Sequence, residues 1–363
     1  MRLAWVAVAG FRSYRELHWE PDPAVNLIVG PNGAGKTNIL EAIAYLAALR
    51  SFRGSPDEAM VSHESESAVI RGEVTDETST LIETEVPRKG RRKVLVNRSR
   101  LQRTADLLGI LRVVTFIPED LEIVKGGPGF RRDFIDATAV QLWPGSHQDQ
   151  AEYERALRQR NAFLRRGESD DVTLTIWDQR LATSAGKVMV RRARAIRAVL
   201  ESMEKTYFSV AGNEGTLGFS YESPWGGSLD PQVSAAEFTD RLVEALGSRR
   251  RADLERGMTT IGPHRDEPVV LLDGYDLRYH ASQGEQRTAA LALRLAAHHA
   301  ITSSLGRSPL LILDDVFSEL DSDRGSALAR ALPDETQTLI STTDRGTVPV
   351  EGTVWNVKEG TIR

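Results

Sequence analysis

Short apolar runs separated by turn residues fill the first 117 positions: Leu3–Ala9, Val25–Val29, Ala68–Val74, Thr80–Val86, Val94–Val96 and Val113–Ile117. Runs of this length bounded by Gly, Pro, Asp and Ser predict strands. One helix interrupts them at Asn38–Leu49, where Ile39, Leu40, Ile43, Leu46 and Ala47 recur at helical spacing. From about residue 119 to 257 the pattern changes to long charged helical stretches, Gln148–Arg166 and Val172–Tyr207, with few strand signals. Strand patterns return at Pro268–Leu272 and Tyr275–His280, joined by Asp273-Gly274, a pair suited to a two-residue hairpin because both central positions need positive φ. A helix over Gln283–Leu305 follows, then a strand at Leu310–Leu313, a helix from about Asp323 to Leu332, a strand at Thr338–Ser341 and a hairpin around Glu359-Gly360. The pattern predicts an α/β head, a mixed sheet with helices built from 1–118 together with 258–363, split by an inserted, mainly helical lobe over 119–257.

Composition narrows the field less than the pattern does. The 363 residues allow two or three domain-sized units, and 46 Lys+Arg against 51 Asp+Glu leave 46 − 51 = −5. That balance argues against a uniformly basic nucleic-acid binder, so local charge must decide the matter. With no cysteine, disulfides, thiolate zinc sites, iron–sulfur clusters and a cysteine nucleophile are excluded, and a cytoplasmic, reducing setting fits. The opening MRLAWVAVAG imitates a short signal peptide but reads as a strand, and no run approaches the ~18–20 apolar residues of a membrane span. The seven histidines form no metal constellation; His298-His299 read as structural or solvated, and His264 has no evident role.

Chemistry enters at residues 30–37. Gly30, Pro31, Asn32, Gly33, Ala34, Gly35, Lys36 and Thr37 match G-x-x-x-x-G-K-[ST] between a predicted strand and a predicted helix, the context that phosphate binding demands. Glycines let backbone N–H groups converge on phosphate oxygens, and the helix N-terminus adds partial positive charge. Lys36 is placed to reach the β- and γ-phosphates of ATP, and the Thr37 hydroxyl to ligate Mg²⁺. The second half of such a site is supplied by Leu310–Asp315, an apolar strand ending in two acids. Asp314 is the candidate Mg²⁺ ligand and Asp315 the candidate base or water orienter. Between these motifs stands Ser282-Gln283-Gly284-Glu285-Gln286-Arg287, and after them Ser318-Glu319-Leu320-Asp321. Ser282 and Glu285 also have the spacing of a helix capping box, and both readings can hold together.

In this order the four motifs resemble the ABC class of ATPases. That resemblance implies a composite site: Lys36, Thr37, Asp314 and Asp315 from one protomer, Ser282 and Gly284 from its partner, with ATP bridging an ATP-dependent homodimer. More narrowly the chain is similar to the RecF family of DNA-repair ATPases. The added strings are Gly10-Phe11-Arg12-Ser13-Tyr14, Pro118-Glu119-Asp120-Leu121, Lys125-Gly126-Gly127-Pro128 with Arg131-Arg132, Gly262-Pro263-His264-Arg265-Asp266, and Leu313–Asp321. This resemblance implies ATP-dependent DNA binding in recombinational repair, with RecR, RecO and RecA as partners and no membrane. Asp315 stands where most ABC relatives have glutamate, which implies slow hydrolysis and a switch rather than a motor. Ser341-Thr342-Thr343-Asp344 lacks the switch histidine, for which Thr342 or Thr343 could substitute, and Pro118-Glu119-Asp120 lacks the Q-loop glutamine. The 139 residues of the lobe folded back as two helices span at most ~100 Å, too short for the arms of an SMC or Rad50-like head. A transporter subunit is a further alternative that the string around Asp314 fits poorly.

Residues 88–103 hold eight Lys/Arg and no acid, a local +8. Gly90 sits at a predicted hairpin tip, so Arg88, Lys89, Arg91, Arg92 and Lys93 are expected to project together onto DNA phosphates. No aromatic residue stands among these charges, which favours backbone contact over base stacking. Arg131-Arg132, Arg191-Arg192 with Arg194 and Arg197, and Arg249-Arg250-Arg251 rank lower; residues 151–205 mix 12 basic with 8 acidic side chains.

Overall fold

A computed structural model describes residues 1–166, 170–212 and 215–363; positions 167–169 and 213–214, within the predicted lobe, lie outside the described residues. The chain divides into two compact units, one of residues 1–120, 205–214 and 291–363, the other of 121–204 and 215–290.

The first unit holds two six-stranded sheets. One is antiparallel, in the order β2 (Tyr14–Trp19), β1 (Arg2–Phe11), β4 (Ser67–Thr75), β5 (Ser79–Pro87), β6 (Lys93–Val96), β7 (Ser99–Arg100). In β4, Ala68, Ile70, Gly72 and Val74 are buried in strict alternation, the period of a sheet with one covered face. In β1 the buried series steps from Leu3 to Val6 because the register with β4 shifts between Leu3 and Trp5, an irregularity that moves the side chains to the opposite face. The second sheet runs β17 (Thr361–Ile362), β16 (Thr353–Lys358), β3 (Val25–Val29), β15 (Thr338–Thr342), β14 (Leu310–Asp314), β8 (Val113–Phe116), parallel except at β17. Every residue of β14 and β15 is buried, so their apolar runs show no alternation. Helix α1 (Lys36–Ala48) contacts strands of both sheets and buries ten of its thirteen residues, and its side chains join one core with Leu3, Ile70, Ile82, Leu310 and Leu339. Truncating Ile43 or Leu46 to Ala there is expected to cost about 2–5 kcal/mol. Helix α9 (Ser322–Ala331) and residues 291–305 of α8 (Gln283–Leu305) complete the unit.

The second unit is built on α2 (Glu122–Lys125), α3 (Pro128–Leu142), α4 (Gly145–Arg165), α5 (Asp171–Ala211, to residue 204) and α6 (Ala235–Arg256). It also carries a two-stranded ribbon, β10 (Glu222–Ser223) with β11 (Gly227–Ser228), and a three-stranded sheet, β13 (Tyr275–Asp276), β12 (Val269–Leu272), β9 (Leu217–Ser220). Residues 258–290, grouped with the head by sequence pattern, fall in this unit. β12 pairs with β9, Asp266 accepts hydrogen bonds from Tyr221, Ser223 and Trp225, and the buried Arg131 donates to the Pro268 carbonyl. The expected strand Tyr275–His280 stops at Asp276. The Asp276 carboxylate accepts from the Arg278 N–H at 2.9 Å and caps a helical turn, α7 (Leu277–His280). Pattern reading also passed over β2, α3 and α6, the last opened by a capping box of Ser234 and Glu237.

Candidate nucleotide site

Strand β3 delivers the chain into the loop, where Gly30 leaves no room for a side chain: a Cβ there would lie 2.4 Å from the Val357 carbonyl oxygen. Gly33 (φ +79°) and Gly35 (φ +113°) occupy the left-handed region, which costs glycine almost nothing. Gly35 is the N-cap of α1 and offers no side-chain acceptor to the first-turn N–H groups, which suits a bound anion. Lys36 folds across its own loop, donating to the carbonyls of Gly30 at 2.7 Å and Pro31 at 3.0 Å. Burial pushes its ammonium pKa down, and Asp315 and Asp314 act in the opposite direction.

The turn between β1 and β2 props this loop. Tyr14 donates its hydroxyl to the Gly35 carbonyl at 3.1 Å, Asn38 donates to the Ser13 hydroxyl at 2.9 Å, and Arg12 forks onto the buried Glu41 with two 2.9 Å bonds. The sequence signal for this contact is Glu41, a carboxylate within the apolar run Ile39–Leu46 that demands a partner once buried.

Asp314 closes β14 and accepts hydrogen bonds at one oxygen from Thr37 (3.0 Å) and Ser341 (2.6 Å). Burial raises its carboxyl pKa, opposed by these two hydroxyl donors. Asp315 has φ +54°, and its N–H donates to the same Ser341 hydroxyl at 2.9 Å. Ser341 therefore ties both acids, and it does so from the neighbouring parallel strand, where it lies in register with Asp314. One carboxylate oxygen of Asp315 is buried without a hydrogen-bond partner in the protein, a costly state unless an outside group meets it. Adjacent hydroxyl and carboxylate oxygens at Thr37 and Asp314 fit Mg²⁺, which takes one or two protein carboxylates and completes its shell with water and substrate phosphate.

The remaining motif residues are held locally. Ser282 caps α8: its N–H donates to Glu285 at 2.7 Å, and the Glu285 N–H donates back to its hydroxyl at 3.3 Å. Ser282 is exposed and Gly284 half-buried, both in the second unit. Ser318 donates to the Asp315 carbonyl at 2.7 Å. Asp120, in the Pro118-Glu119-Asp120 segment, is buried, accepts from the Ile117 N–H at 3.0 Å and pairs with Arg294. Thr342 donates to the Asp344 carbonyl at 3.0 Å, whereas Thr343 is exposed. His264 gains a role: it bonds the Tyr153 hydroxyl at 2.6 Å through Nδ1 and the Thr259 carbonyl through Nε2, and burial lowers its pKa to about 4, so it is a neutral structural group.

The basic segment does form two hairpin turns, one at Gly90 (φ +110°) and a second at Asn97-Arg98, both with positive φ. Its cations do not act alike. Arg88 donates to the Ser62 and Ser65 carbonyls, Arg92 to the Leu49 carbonyl and Asp57, and Lys93 pairs with Glu85. Lys89 and Arg91 are exposed and, among the described residues, make no ion pair. The lower-ranked arginines divide as well: Arg131 is buried among backbone carbonyls, Arg192 is buried against Asp136 and Arg250 pairs with Asp178, whereas Arg194, Arg197, Arg249 and Arg251 are exposed.

Two sheets sharing a core helix, a phosphate loop entering that helix and an acid pair at the end of a buried parallel strand define an ABC-type ATPase head of the SMC kind. The RecF/RecN/SMC N terminal domain family matches residues 2–360. The chain belongs to the RecF family of DNA replication and repair proteins. It is 39% identical over 357 residues to the DNA replication and repair protein RecF of Acidothermus cellulolyticus, covering 96% of each chain. The Streptomyces avermitilis protein of that name is 37% identical over 374 residues, covering 100% of this chain and 99% of that one. Among solved structures, the recombination mediator protein RecF with ATP, described in the RecFOR pathway, superimposes with a TM-score of 0.89 at 32% identity, covering 100% of this chain and 98% of that one. An SMC head bound to the C-winged helix domain of ScpA shares the fold alone, at 17% identity and TM-score 0.59, covering 100% of this chain and 96% of that one. Among the described residues no helix is long and apolar enough to cross a membrane.

Proposed function

We propose that this chain is an ATP-gated DNA clamp of recombinational repair in the cytoplasm, whose slow ATPase turnover resets binding. The observation that carries this reading is the network joining Thr37, Asp314, Ser341 and Asp315 beside the phosphate loop. Lys36 exchanges its two loop carbonyls for the β- and γ-phosphates of ATP, a favourable trade because a buried ammonium gains more from anionic than from neutral acceptors. The first-turn N–H groups of α1 bind the phosphates, and Thr37 with Asp314 holds Mg²⁺, which supplies charge neutralisation for phosphoryl transfer. Asp315, with its unpartnered oxygen, orients the attacking water. Ser282 and Gly284 of the partner subunit face the γ-phosphate from the N-terminus of α8, so ATP closes a homodimer and hydrolysis opens it.

DNA lies against the basic hairpins of residues 88–103, without sequence reading, and RecR, RecO and RecA are the partners this family places downstream. Gel shifts of wild type and Lys36→Ala on single-stranded, duplex and gapped DNA, with and without ATP, test the reading. ATP is expected to strengthen wild-type binding and leave Lys36→Ala unchanged; if ATP alters no wild-type complex, the clamp reading is wrong. Light scattering adds a second check: monomer at saturating ATP would remove the composite site.

A further inference from the structure

Beside the Gly90 turn opens a cleft of about 530 Å³, lined by Arg91, Arg92, Lys93, Arg100 and Arg103 against Asp57. Its five cations divide by what they touch. Arg92 forms the floor: it donates to the Leu49 carbonyl at 2.6 Å, which caps the C-terminal end of α1, and pairs with Asp57 at 3.2 Å. Its charge thereby offsets the negative end of the helix dipole and is not free for a ligand. Lys93 is paired with Glu85 at 3.0 Å. Arg91, Arg100 and Arg103 are exposed and, among the described residues, have no carboxylate partner. Three guanidinium groups around one cleft without a counter-charge repel one another, and an anion of matching fork geometry relieves that repulsion.

Two features select the anion. Among the described residues no aromatic side chain lines the cleft, so it offers no platform for a base. The free cations also continue beyond it: Lys89 at the first turn and Arg98 at the second are exposed and unpaired in the same way. A row of five free cations along two hairpins suits a polymer of phosphates better than a single nucleotide. The geometry points to this cleft as the seat of a nucleic-acid phosphodiester backbone, with Arg91, Arg100 and Arg103 as its contacts and Arg88, Arg92 and Lys93 as its frame. The inference rests on the DNA-clamp reading and sharpens it, because two of the three contacts, Arg100 and Arg103, lie outside the cluster at residues 88–93.

Duplex affinity of the full chain with ATP, measured across salt concentration, is the test. Each phosphate contact contributes about −0.9 to the log–log slope, so the three cleft contacts together with Lys89 and Arg98 give a wild-type slope of roughly −4 to −5. The triple variant Arg91→Ala, Arg100→Ala, Arg103→Ala is expected to flatten it by about 2–3. Arg88→Ala is expected to leave the slope as it is. A steep wild-type slope that the triple variant retains overturns the cleft while leaving the clamp standing. A wild type that binds no DNA removes the clamp reading and the cleft with it. Should the triple variant lose its folded circular dichroism, the single charge reversal Arg91→Glu at the exposed turn carries the same test, with a steeper loss of affinity expected and an unchanged slope overturning the assignment.

Discussion

The phosphate loop and the basic hairpins both gather groups suited to phosphate, yet they are built in opposite ways. At the loop Lys36 and Asp314 are buried and bonded: Lys36 lies on its own carbonyls, Asp314 accepts from two hydroxyls, and burial shifts the pKa of both. In the hairpins Arg88 and Arg92 are bonded to backbone carbonyls, Lys93 is exposed but paired with Glu85, and Lys89, Arg91, Arg98, Arg100 and Arg103 are exposed without an ion pair among the described residues. A preformed, desolvated site places a ligand accurately, whereas an open row of cations attracts a polymer at long range and tolerates its register.

The widest separation between the two regions should come from Lys36→Ala. Loss of this buried ammonium is expected to lower ATP affinity at least ~100-fold, about 3 kcal/mol, by titration calorimetry. Duplex binding without nucleotide should stay within a factor of about two, since no hairpin cation touches Lys36. Unchanged ATP affinity would mean that the loop is only a turn.

Ser341→Ala tests whether the inner site works as a unit. The hydroxyl donates to Asp314 and accepts from the Asp315 N–H, and hydrogen bonds to charged groups are worth about 1.5–3 kcal/mol. Turnover is expected to drop about 10–100-fold while ATP affinity changes less than about threefold, and Ser341→Thr should restore part of the loss. Equal losses in KM and kcat would instead indicate a collapsed strand end.

This difference also explains what could be read in advance. Residues 30–37 were legible because the whole cradle is contiguous and its strand and helix flank it directly. Asp314 and Asp315 were legible because a buried strand ends in acids. Ser341 was not, because it meets them only through the pairing of β14 with β15, twenty-seven positions along the chain. Tyr14 reaches the loop and Arg12 the helix behind it from another sheet. The helical character of the middle of the chain was visible, but residues 258–290 join that unit through β9 and Asp266, contacts with no local signature. In the hairpins a sum of +8 was correct and its division was invisible, since the carbonyls that hold Arg88 and Arg92 belong to residues 49, 62 and 65.

Arg92→Ala separates frame from contact. It removes bonds to the Leu49 carbonyl and to the half-exposed Asp57, and leaves the end of α1 uncompensated. A cost of about 1–2 kcal/mol is expected, lowering Tm by roughly 2–5 °C. The salt slope of duplex binding should not move, and a flattened slope with unchanged Tm would reassign Arg92 to the ligand.

The finest cut compares Arg88→Ala with Lys89→Ala, neighbours of equal charge. Arg88 donates to two half-buried backbone carbonyls of the 62–65 loop, so its loss removes the bonds that tie the hairpin to that loop and should register in Tm. Lys89 is exposed at the turn and contributes nothing to that packing, so Tm should hold within about 1 °C. In DNA binding the order reverses: Lys89→Ala should flatten the slope by about 0.9, and Arg88→Ala by close to nothing. If both variants flatten it equally, hydrogen bonding to the protein does not withdraw an arginine from DNA, and the distinction between frame and contact fails at its smallest scale.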